Sequence, residues 1–138
     1  MSEILIIILI IAAVVGGIFI YMLFAPQHED ANWKLQAKTN LNKVRGLTTS
    51  NDESKLKTAV IEADKLLDYV LKSKKVKGET LGDRLKSSKN LFSTSSYNKV
   101  WEVHKLRNRL AHEMNFNPDI RYLKSSANSL LSEISDIL

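Results

Sequence analysis

"HKLRNRLAHE", residues 104–113, lies in a segment whose apolar residues recur at helical spacing, yet Arg107 stands where that spacing asks for a leucine. On a helical wheel over 97–114 with Val100 as origin, Val103, Leu106, Leu110, Ala111 and Met114 share one side. Arg107 falls at about 340°, in the middle of that side; Arg109 and Glu113 fall at about 180° and about 220°, facing solvent. His104, Asn108 and His112 follow at about 40°, 80° and 120°, a polar strip along one edge of the apolar face. A charge aimed at a core must be paired or must open onto a cleft.

The partners for such a pair stand on the clearest helix of the chain. Leu56, Ala59, Val60, Ala63, Leu66, Leu67, Val70 and Leu71 form one wide apolar stripe, and "SNDE", residues 50–53, reads as a capping box ahead of it. Asp64 or Glu62 on that helix can meet Arg107. Before it, Leu35, Leu41 and Val44 mark a helix from Trp33 that Gly46 is expected to end. After it, Gly78 is a terminator and Thr80 caps a short helix containing Leu81, Leu85 and Leu91. "STSS", residues 93–96, caps the helix of the opening motif. Asn117–Pro118–Asp119 starts a final helix striped by Leu123, Ala127, Leu130, Leu131, Ile134 and Leu138. No period-two strand pattern and no repeat is present. The expected fold class is all-α: an N-terminal transmembrane helix followed by a bundle of four or five helices over 33–138.

The anchor is "ILIIILIIAAVVGGIFIYMLF", residues 4–24, with no charge and no proline, long enough to span a bilayer. A cleaved signal fits less well: no Lys or Arg precedes the run, and Pro26 follows Ala25 where a cleavage site would fall. Residues 1–25 therefore read as a retained anchor and 26–32 as a juxtamembrane linker. Ala12 with Gly16, and Ala13 with Gly17, are small-xxx-small pairs of the kind that bring membrane helices together. Lys34, Lys38, Lys43 and Arg45 behind the span favour a cytoplasmic C-terminal part at the cell membrane. The absence of cysteine is compatible with that side.

All twenty Lys and Arg fall between Lys34 and Lys124; against twelve acids from residue 31 onward they leave this part at a formal +8. Such a domain attracts polyanions, either anionic lipid heads or nucleic acid. The densest run, residues 72–89, holds seven bases and two acids, and Lys74, Lys75 and Lys77 within it, with His104, are candidate binding contacts. A solvated face is the simpler account of such a run. His104 and His112, two turns apart, would need further ligands to hold zinc; with no Cys and no third His nearby, no metal and no cofactor is expected.

Arg107, polar Asn108, three residues and then His112 resemble the Arg–polar–x3–His pattern of the HEPN domains, and "LRNRLAHE" is close to wording common in that superfamily. The helix order extends the resemblance more loosely over 33–138. The chain is similar to short single-pass bacterial HEPN-like proteins. The resemblance implies an all-helical bundle, a homodimer, and in many members a metal-independent RNA endonuclease, with Arg107, Asn108 and His112 as catalytic residues. The chemistry agrees: the ribose 2′-hydroxyl is the nucleophile, His112 moves a proton, Arg107 meets the phosphate and Asn108 orients the imidazole or binds an oxygen. One helix sets Arg107 and His112 about 140° apart, so two motifs are expected to meet across a dimer. The alternatives are a non-catalytic HEPN-like module that binds RNA, a nucleotide or a protein at the membrane, and a purely structural dimeric anchor. A nuclease tied to a membrane also implies a regulatory protein partner.

Overall fold

The computed structural model describes residues 2–24 and 31–138. Among them stand six α-helices and no strand: α1 (Ser2–Phe24), α2 (Ala31–Thr48), α3 (Glu53–Ser73), α4 (Leu81–Ser87), α5 (Thr94–His112) and α6 (Ile120–Asp136). The expected linker 26–32 falls largely outside the described residues, except that Ala31 and Asn32 already belong to α2.

Helix α1 forms one unit by itself. Its segment Glu3–Leu23 is long and apolar enough to cross a membrane, with a mean hydropathy of 3.1 and none of it buried. A β-carbon built on Gly16 or Gly17 would touch nothing within 4 Å.

The second unit is the bundle Ala31–Leu138. Helix α3 is its centre, packing on α2, α6, α5 and α4. All eight residues of the expected stripe are buried, and Leu56, Leu67 and Leu71 are fully enclosed. Each such leucine contributes about 1.5–3 kcal/mol of burial. Helix α6 adds Leu123, Ala127, Leu130, Leu131 and Ile134, while Leu138 packs on the margin of the core. Helix α2 faces it with Ala37, Leu41 and Val44; Leu35 points away and is 66% exposed.

Several helix ends differ from expectation. Helix α2 runs through Gly46 to Thr48, whose hydroxyl donates to the Arg45 carbonyl and lies 2.8 Å from Asn128 Oδ1 on α6. Gly46 is exposed and costs only about 1 kcal/mol of helix propensity, too little to stop a helix held by burial. The cap of α3 is Asp52, not Ser50: Asp52 accepts from the Lys55 amide at 2.9 Å, Ser50 Oγ accepts from the Asp52 amide, and Glu53 pairs with Lys57. The cap of α6 is Asp119, not Asn117, and accepts from the Arg121 amide at 2.7 Å. That amide bond chiefly holds the Asp119 carboxyl below its ordinary value. Leu91 lies in a separate 3-10 turn, Lys89–Leu91, beyond α4. Met114 falls past the end of α5 and is wholly exposed, and Ala111 is exposed too, so the apolar side of the α5 wheel stops at half-buried Leu110.

The turn from α3 to α4 is built without a glycine at its first bend. Val76 donates to the Leu71 carbonyl and Lys75 to the Lys72 carbonyl, the two bonds that close a helix through a left-handed residue. That residue is Lys75, at φ 59°. Gly78 comes later, at φ 147°, where an added β-carbon would lie 2.6 Å from the Arg84 nitrogen. Arg84 then pins the turn: it is 4% exposed, pairs with Asp68 on α3, and donates to the carbonyls of Gly78 and Glu79. Thr80 caps α4 as expected, in a reciprocal box with Asp83. The Thr80 hydroxyl and then its backbone amide hold the Asp83 carboxyl below its ordinary value. Two substitutions in this turn should act oppositely. Lys75→Gly relieves a left-handed strain of about 1–2 kcal/mol and should raise the thermal midpoint. Gly78→Ala meets both strain and backbone overlap, and should lower stability by about 2–3 kcal/mol in urea unfolding.

Candidate functional site: a polar cleft at Asp64

Helices α3, α4 and α5 do not close completely on one another. Between them lies a cleft of about 480 Å³ lined by Asp64, Lys65 and Asp68 from α3, Thr80 and Gly82 around the start of α4, and His104, Arg107 and Asn108 from α5. Two kinds of residue put it there. The stripe of α3 turns Asp64 inward one position after Ala63, and α5 has no apolar side chain to fill the opposing position.

Asp64 is the hub. Its side chain is 6% exposed and meets two side chains of α5, His104 and Arg107. Oδ1 lies 3.0 Å from His104 Nδ1, and Oδ2 lies 3.6 Å from Arg107 Nε. An ionised carboxylate only accepts, so His104 carries its proton on Nδ1 and, when neutral, presents a lone pair at Nε2. Asn108 Nδ2 sits 3.3 Å from that nitrogen, and Asn108 Oδ1 accepts from Arg107 Nη1 at 3.1 Å. Asp64, His104, Asn108 and Arg107 therefore form a closed ring. Trp101 packs edge-on to the imidazole at 5.8 Å.

Arg107 satisfies both readings of the sequence at once. It is paired with Asp64, as the structural account expects, and it lines an open cleft with a side chain 30% exposed. It is half-exposed rather than central to the core, because the wheel gives its direction and the offset of α4 leaves that direction open. Its Nε is buried without a hydrogen bond among the described residues, the 3.6 Å ion-pair approach to Asp64 being too long for one. That nitrogen is enclosed, so the part of the guanidinium open to the cleft is its terminal end.

The other expected residues separate. Glu62 does not meet Arg107; it turns to solvent and pairs with Lys65 at 2.7 Å. His112 is the last residue of α5, exposed, and does not line the cleft. Lys74, Lys75 and Lys77 stand on the α3–α4 turn, outside the cleft, with Lys74 5.8 Å over the Trp33 ring. Arg109 is exposed as expected, paired with Glu113 and stacked 3.7 Å from the Phe116 ring centre. Lys65, Asp68 and Arg84 were not singled out from the sequence. Only Asp68 had a detectable signal, an acid four residues beyond Asp64 on the same helix. Among the described residues no cluster of His and carboxylate side chains suits a metal ion. Comparison with family models, with curated proteins and with solved structures found no match.

The ring predicts unequal costs. Asp64→Ala removes the acceptor of His104 Nδ1 and the ion-pair partner of Arg107 and should cost about 3–5 kcal/mol. Arg107→Ala leaves Asp64 still bonded to His104 and should cost about 1–3 kcal/mol. Arg109→Ala loses a surface pair and one ring contact, about 0.5–1 kcal/mol. Urea midpoints of the three variants check the order.

Proposed function

We propose that the chain is a membrane-tethered HEPN-like protein whose bundle is a metal-independent RNA endonuclease acting as a homodimer. The observation that carries the reading is the guanidinium of Arg107. It is held by Asp64 and Asn108 on the wall of an open polar cleft, with its side chain 30% exposed there. A bidentate arginine is suited to the charge that grows on a phosphodiester as the 2′-hydroxyl attacks. His112 is exposed at the end of the same helix, accessible to a second chain. In the dimer, His112 of one chain serves the cleft of the other and moves a proton, which reconciles the separation of the two residues on one helix. Helix α1 holds the dimer at the membrane with the basic bundle on the cytoplasmic side, where RNA is within reach beside the anionic lipid heads and a regulatory protein restrains cleavage.

A second reading is favoured by a specific observation: the ring at Asp64 already pairs Arg107, as in a locked structural core. On that reading the cleft binds RNA, a nucleotide or a protein partner without cleaving anything.

The test uses the full chain in detergent micelles with mixed RNA. The nuclease reading predicts products ending in 2′,3′-cyclic phosphate and 5′-hydroxyl, undiminished by EDTA. Arg107→Ala and His112→Ala should each lower the rate by about 10²–10⁴. Mixing the two inactive variants should restore activity, because one of the two shared sites is then intact. RNA left whole with and without divalent metal would turn the assignment to the binding module. The anchor is checked separately: the protein should stay in the membrane fraction through alkaline washing, at full length.

A further inference from the structure

We infer that His104 is a second catalytic histidine, the proton acceptor for the 2′-hydroxyl, and that Asp64 is its positioning residue. This rests on the ribonuclease reading above and assigns within it a role that the Arg–polar–x3–His motif does not contain.

Three observations carry it. First, the imidazole is held, not loose: Nδ1 is anchored on buried Asp64 at 3.0 Å and Trp101 packs against the ring, so Nε2 has a defined direction. An imidazole with one nitrogen on a carboxylate and the other facing a cleft is arranged to accept a proton there, because the carboxylate stabilises the imidazolium that results. Second, Nε2 is reachable. Among the described residues its hydrogen-bond partner is Asn108 at 3.3 Å, a long bond that an entering hydroxyl can replace. Gly82 faces it closely, a β-carbon there lying 3.8 Å from Nε2 and as near to Thr80 Oγ1 and Trp101, so a ligand approaches from the cleft that His104 lines. Third, Arg107 projects from the same helix three residues on and lines the same cleft, which puts a phosphate-binding cation and a proton acceptor in one chain. His112 offers neither anchoring nor a place in that cleft.

The step balances as follows. His104 Nε2 takes the 2′-hydroxyl proton as the O2′–P bond forms. The P–O5′ bond breaks, and the departing oxygen takes a proton from His112 of the second chain. The products are a 2′,3′-cyclic phosphate and a 5′-hydroxyl, and both imidazoles reset by exchange with water. The charged groups facing His104 are Asp64, Lys65 and Asp68 from α3, Arg84 from α4 through its pair with Asp68, and Arg107 from α5.

The experiment measures cleavage of a fluorogenic mixed-sequence oligoribonucleotide by the full chain in micelles, from acid to alkaline pH. A general base must be unprotonated and a general acid protonated, so the wild-type profile should be bell-shaped. His104→Ala should lower the rate by about 10²–10⁴ and abolish the acidic limb, with added imidazole restoring part of the rate. His112→Ala should abolish the alkaline limb instead. His104→Gln keeps an amide donor for Asp64 and decides the matter should the alanine variant fold poorly. If His104→Gln cleaves within threefold of wild type, or keeps the acidic limb, the inference is overturned while the ribonuclease reading stands. If the wild-type chain cleaves nothing, both fall together.

Discussion

A single carboxylate between α3 and α5 organises this bundle. Asp64 is enclosed, and an enclosed charge is tolerated only with partners. Both partners, His104 and Arg107, come from α5, and Asn108 joins them into a ring. The elsewhere apolar contact between the two helices is thereby replaced by a directional one. Its geometry sets the rotation of α5, and with it which side chains open onto the cleft. Another enclosed charge, Arg84, ties the α3–α4 segment to Asp68, one turn along α3 from Asp64. Asp68 of the second pair lines the cleft beside Asp64, His104 and Arg107, so the site is polar because charges that stabilise the bundle border it.

Much of the helical frame could be read from apolar spacing, since burial decides where a stripe faces. The apolar stripe of α3 was legible to the residue, and that of α6 except for Leu138, which lies past the helix end on the margin of the core. Helix ends were less so. Ser50 and Asn117 have the chemistry of caps, but Asp52 and Asp119 sit closer to the first turn and accept its amides instead. Gly46 and Gly78 look like terminators, yet one lies inside an exposed helix surface and the other serves a later bend. Met114 matched the wheel of α5 only because a wheel continues past the point where the helix stops.

The site itself was half legible. The wheel placed Arg107 on the inward side and Arg109 outside, and it grouped His104 with Asn108. It could not show which acid would answer, because Asp64 and Glu62 differ in direction by two helix positions and only the packing of α5 selects between them. Nor could it show that His104 would lie in the cleft and His112 outside, since both are on the same strip and α4 covers only part of it. A sequence motif records residues on one helix; the cleft depends on the helix opposite.

The most direct test of a phosphodiester-binding cleft is spectroscopic. In the full chain, labelled with ¹⁵N at histidine and arginine and held in micelles, the ring nitrogens of His104 and the Nε of Arg107 can be followed as an uncleavable 2′-deoxy oligonucleotide is added. The account predicts a proton on His104 Nδ1 before addition, and shifts at His104 Nε2 and Arg107 Nε that saturate together. A His104 tautomer protonated at Nε2, or an oligonucleotide that binds while leaving both residues unmoved, would contradict it.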